Sequence, residues 1–108
     1  MSVTERDAAK KRGEIARALA EQGMEDVYVL DRGSAREVLT EKRTEVLDTL
    51  KSEDVESVRH LAEVLDRDKS VVSQDLQVLA KNDLIEYEKE GRRKVPKVKH
   101  GNVVVAPI

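Results

Sequence analysis

Residues 69–81 set two kinds of side chain against each other. Val72, Leu76 and Leu79 recur at i, i+4 and i+7, so on a helix they share one face. Ser70, Ser73, Gln74, Gln77 and Lys81 are then left on the other. Hydroxyl and amide side chains can hydrogen-bond base edges, and glutamine can bond adenine through two contacts at once. Any surface helix shows polar residues opposite its buried face. Here, however, no carboxylate stands on the central line between Ser70 and Gln77, in a chain whose 22 acidic residues outnumber its 20 basic ones. Such a face suits phosphate nearby. Asp75 lies to the side, where a cation from another helix can pair with it.

A second cluster, Lys89, Arg92, Arg93 and Lys94, surrounds Gly91. The net charge of −2 hides its strength. Residues 89–101 hold six basic side chains, counting Lys97 and Lys99, against one acidic, Glu90, whereas residues 1–57 hold 10 basic and 14 acidic. Charges like these can simply protect a hairpin edge. Consecutive like charges at a turn repel, though, and are better tolerated when phosphates neutralise them. Ser57, at a helix start, can add a backbone contact to phosphate. Arg67 and Lys69, bordering the 69–81 helix, complete the set expected to touch DNA.

Other chemistries find little support. Cysteine is absent, and the two histidines, His60 and His100, have no patterned carboxylates beside them, so no metal site is expected. His60 reads as a surface helix residue and His100 as a turn residue that could also meet phosphate. No Ser-His-Asp order, phosphate loop or HExxH motif occurs, so neither an enzyme nor a cofactor is expected. The N-terminus turns charged at once, without the apolar stretch of a signal peptide, and no later run approaches a membrane span. A cytoplasmic protein with no membrane partner is the expectation.

The elements follow from the periodicity. Thr4 can cap a helix over 4–22 that ends at Gly23, and its apolar stripe, Ala8, Ile15 and Leu19, is thin enough that the helix either packs on a second subunit or frays. Val27–Leu30 reads as a short strand, and Asp31-Arg32-Gly33 as a break. Ser34 with Glu37 suggests a capping box, Thr40 a second cap, and Val46, Leu47 and Leu50 the inner face of a helix to about Lys51. Ser57 caps a shorter helix carrying Val58, Leu61, Ala62 and Leu65 inward.

Asp66-Arg67-Asp68-Lys69 is too polar for a core, so two short helices meet across a tight turn, the helix-turn-helix arrangement. Asn82 and Asp83 stop the third helix. Period-two segments follow, LIEYEKE, RRKVPKVK and VVVAPI, separated at Gly91 and Gly101-Asn102. They predict a three-stranded antiparallel sheet with a basic tip, Pro96 lying at an edge position or a bulge. The run Val103–Val105 is either its innermost strand or a subunit contact. The fold class is α+β, mainly α: a three-helix core with a β-hairpin wing and an extra N-terminal helix. Residues 1–33 form the arm or dimerisation segment and 34–108 the DNA-binding domain.

The run SVRHLAEVLDRDKSVVSQDLQVLAKNDLIEYEKEGRRKVPKV resembles the MarR/ArsR-like winged helix-turn-helix proteins of archaea and bacteria, especially a group of short predicted regulators. The resemblance covers residues 39–108. It implies dimeric DNA binding through Lys69, Ser70, Ser73, Gln74 and Gln77 of the third helix and Arg92 and Arg93 of the wing. Gln74 stands where arginine is commonest in that group, which bears on base preference. Asn82-Asp83 replaces the usual glycine. The expected function is a homodimeric, sequence-specific regulator of transcription, acting as a repressor on its own gene. The alternative is a protein-interaction module, such as the antitoxin of a toxin–antitoxin pair.

Overall fold

Thr4 accepts the backbone N–H of Asp7 at 3.1 Å and so starts α1 (Glu5–Glu21). The helix closes at Gly23, whose φ of +93° suits a residue without Cβ. No α1 residue is buried. In the computed structural model, which describes residues 4–106, the chain divides into two compact units: 4–37 with 100–106, and Val38–Lys99.

In the first unit, α1 leads to β1 (Val27–Leu30), and α2 (Arg32–Val38) runs out of it. The expected break at Asp31-Arg32-Gly33 is instead a helix start. Asp31 accepts the N–H and hydroxyl of Ser34 at 2.8 and 2.7 Å, so the cap is Asp31 and Ser34 lies inside the helix. A carboxylate three residues ahead of a free amide makes the stronger cap.

The partner of β1 is β4 (Asn102–Val105), aligned parallel with Val27 opposite Asn102 and Leu30 opposite Val105. The expected three-stranded antiparallel sheet therefore does not form. Side-chain anchoring explains the departure: Asp26 accepts the Gly101 N–H at 2.8 Å, and the Asn102 amide donates to the Glu25 carbonyl at 2.7 Å. His100 stacks on Tyr28 with ring centroids 4.5 Å apart, its Nδ1 3.3 Å from Asp26. Its Nε2 is buried without a partner, so His100 closes a turn and does not offer itself to phosphate. Of the VVVAPI run, Pro107 and Ile108 lie outside the described residues.

Asp26 titrates at a lowered pH, chiefly because the Gly101 amide bonds its charged form and secondarily because of His100. A lowered folded value contributes stability that is present above the ordinary carboxylate range, about pH 4, and is lost as pH falls through the folded value. Urea midpoints measured between pH 7 and 2 are expected to fall off below pH 4, and to do so less steeply in Asp26→Asn.

The second unit holds α3 (Glu41–Ser52), α4 (Val58–Leu65), α5 (Lys69–Lys81) and the hairpin β2 (Ile85–Glu90) with β3 (Arg93–Val98). Thr40 caps α3 as expected, accepting the Arg43 N–H at 3.3 Å. Val46, Leu61, Val72, Leu76, Leu79 and Val95 are fully buried, with Leu84 and Ile85 close to it. This aliphatic core seats three helices against the root of a two-stranded wing. Asp66 takes a left-handed φ of 52° after α4, and Asp68 caps α5 two residues later, so the turn between the helices is short. Asp83, at φ 67°, ends α5 in the same way. The wing turns at Gly91-Arg92, with Gly91 at φ 67° in the glycine-first pattern hairpins favour.

Candidate nucleic-acid interface

The start of α4, one flank of α5 and the base of the wing tip enclose an open notch of roughly 350 Å³. Its lining is Ser57, Val58, Arg59, Lys69, Ser73, Arg93 and Lys94. Four cations thus come from three elements, with no carboxylate among them. None of the four forms a salt bridge with a described residue. On the wing, Lys89 stands directly opposite Lys94, a like-charge pair that destabilises a hairpin unless an anion offsets it. Arg92 is exposed at the turn.

Ser57 anchors this arrangement locally. Its hydroxyl accepts the His60 N–H at 3.0 Å, and His60 Nδ1 accepts the Glu56 N–H at 3.0 Å. His60 is therefore half-buried and part of the cap, where a plain surface position was expected. The capped end of α4 adds the partial positive charge of a helix N-terminus to the notch.

The expected contact residues separate into three groups. Ser57, Lys69, Ser73, Arg93 and Lys94 meet at the notch, while Gln74, Gln77 and Lys81 lie exposed along the outer side of α5. Ser70 shares that side, but its hydroxyl and its N–H both go to Asp68, at 2.8 and 2.9 Å. This bonding lowers the titration of Asp68, with the Ser70 amide the larger cause. Arg67 is placed elsewhere: its guanidinium pairs with Glu45 and donates to the Lys42 carbonyl at 3.1 Å, leaving the side chain 11% exposed. It ties the turn to α3.

Asp75 has the cation expected for it, with Arg43 Nε 3.2 Å away. Both side chains are mostly covered, so the pair fixes α5 on α3. Two residues on this surface were not read from the sequence. Arg59 is the sole basic residue of α4 and sits two places past the cap, which was a usable signal. Val71 is exposed on α5, and its apolar type hid it among the core positions. Among the described residues, no group of three or more His, Asp or Glu is arranged to hold a metal, and no helix is long and apolar enough to cross a membrane.

Solved structures share this architecture. The homodimeric winged helix-turn-helix DNA-binding domain of Mb0332 from Mycobacterium bovis, a possible ArsR-family regulator, has a TM-score of 0.58 at 20% identity, covering 92% of this chain and 75% of that one. A predicted DNA-binding transcriptional regulator from E. coli has a TM-score of 0.58 at 21% identity, covering 79% and 81%. A MarR/EmrR family transcriptional regulator from Acinetobacter sp. ADP1 has a TM-score of 0.51 at 17% identity, covering 90% and 66%. No curated protein matches the chain. The fold is the winged helix of ArsR- and MarR-type transcriptional regulators. Residues 38–105 match the HVO_A0114 family, and the chain belongs to it.

Proposed function

We propose that the chain is a sequence-specific regulator of transcription that binds double-stranded DNA as a homodimer in the cytoplasm. In this reading α5 lies in a major groove, the cations of the notch take successive backbone phosphates, and Lys89 and Arg92 meet the flanking backbone through the wing. The observation that carries it is the notch, where four cations with no salt bridge to a described residue converge beside the helix that bears Gln74 and Gln77. Phosphates neutralised by such cations release the counterions condensed on the DNA, which favours binding. At about 18 Å, α5 is long enough to lie along a groove about 12 Å wide.

The dimer rests on α1, a helix of 17 residues with none buried. A helix so lightly covered is marginal alone, and a second subunit would cover Ile15 and Leu19. The M. bovis relative is homodimeric. Two copies of α5 would then face half-sites about 34 Å apart, on an imperfect palindrome.

Fluorescence anisotropy against the DNA upstream of the chain's own gene and a scrambled duplex, each at two salt concentrations, tests the reading. Tighter binding to the upstream duplex that weakens with salt is expected, and makes autorepression the next case to test. No binding to either duplex at low salt would overturn it and leave a protein partner, such as a toxin, as the reading to pursue.

A further inference from the structure

We infer that the groove-facing side of α5 reads an A·T-rich half-site, with Val71 seated on a thymine methyl next to an adenine bonded by Gln74. The inference rests on the DNA-binding reading and specifies which bases that surface selects.

The available side chains decide the matter. Ser70 spends its hydroxyl proton on Asp68, and Ser73 turns into the notch. The exposed residues left over the first two and a half turns of α5, beyond Lys69 in the notch, are Val71, Gln74 and Gln77. Guanine is read in the major groove chiefly by arginine or lysine and cytosine by aspartate or glutamate. None of these types stands among the three. Glutamine matches the N6 and N7 atoms of adenine, and the thymine C5-methyl is the one apolar group a base pair presents in that groove.

Val71 is 45% exposed on a helix whose neighbouring valine, Val72, is fully buried. Its two methyl groups neither donate nor accept a hydrogen bond, so over G·C they would bury base-edge polar groups without partners. Over a thymine they cover apolar surface instead. Val71 and Gln74 are three residues apart, hence neighbours on the helix surface and about 4.5 Å apart along its axis. Side chains this close on one helix surface can reach neighbouring base edges.

The test begins with duplexes selected by the wild-type protein from a randomised pool. Half-sites rich in A·T pairs are expected, and a G·C core in the half-site would overturn the inference. Each thymine of a selected half-site is then replaced by deoxyuridine, which lacks only the C5-methyl, and binding is measured with wild type and Val71→Ala. One position is expected to weaken the wild type about fourfold, the worth of one buried methyl, and to leave Val71→Ala unaffected. Equal losses in both proteins, or none in either, would remove Val71 from base reading while leaving DNA binding intact. Failure of any duplex to be enriched would instead refute the DNA-binding reading itself, and this inference with it. Since Val71 is solvent-exposed and alanine favours helix, the variant retains the fold, which circular dichroism checks.

Discussion

Alanine at Arg59, Lys69 and Lys94 together is expected to weaken binding to every duplex several hundred-fold at about 0.1 M salt. The magnitude follows from counterion release. Each phosphate contact contributes a slope of about −0.9 in log affinity against log salt, so relative to 1 M salt it is worth roughly eightfold at 0.1 M. Three contacts multiply. The same variant should flatten the salt slope by nearly three, while the order of preference among sequences stays as in the wild type, because phosphates carry no base information. Titrations at four salt concentrations read both quantities. A triple variant with an unchanged slope would show that the notch does not meet phosphate.

Leu76→Ala is expected to cost about 3 kcal/mol of stability, the middle of the range for a fully buried leucine. Leu76 sits at the centre of α5 with no exposed surface, between Val72 and Leu79 in the core of residues 38–99. A domain this small has only about 5–10 kcal/mol in total, so the melting temperature should drop by roughly 15 °C. Leu76→Met, which keeps the volume, should cost less than about 1.5 kcal/mol. Thermal unfolding of the pair separates cavity formation from a tolerance of any apolar residue. A loss below about 1 kcal/mol for alanine would show that α5 is not held by this core.

What could be read from the chain alone was what periodicity and caps encode. Val72, Leu76 and Leu79 announced α5 and its buried face, and Thr4, Thr40 and Ser57 announced helix starts that the structure places at those residues. Asp75 was legible as a side position awaiting a cation. Less visible was anything decided by a distant partner. The apolar run at 103–105 says strand but not which strand it joins, and that choice falls to Asp26 and Glu25, far back in the chain. Arg67 was expected to touch DNA beside the 69–81 helix, yet Glu45 and the Lys42 carbonyl hold it. In the candidate site, charge density announced Arg93 and Lys94, whereas Arg59 carried only the fainter signal of a lone basic residue after the Ser57 cap, and its place beside them shows once α4 is folded. Val71 needed the burial of Val72 to be known before its own exposure could mean anything.

The parallel pairing of β1 with β4 imposes an order on the making of this protein. Asp26 and Gly101 are 75 positions apart, and everything from 38 to 99 lies between them. At about 5–20 residues per second, the partner strand of β1 is translated roughly 4–15 seconds after β1 itself. The winged unit draws on contacts within its own 38–99 stretch, but its fully buried Val95 lies on β3, translated only a few residues before β4, so its core cannot close during that interval. The two units are therefore completed almost together, and β1 spends its early life as an open edge beside a winged unit that still lacks its last strand. Nascent-chain proteolysis should find Val27–Leu30 cleavable until Val105 has left the ribosome, and protected afterwards.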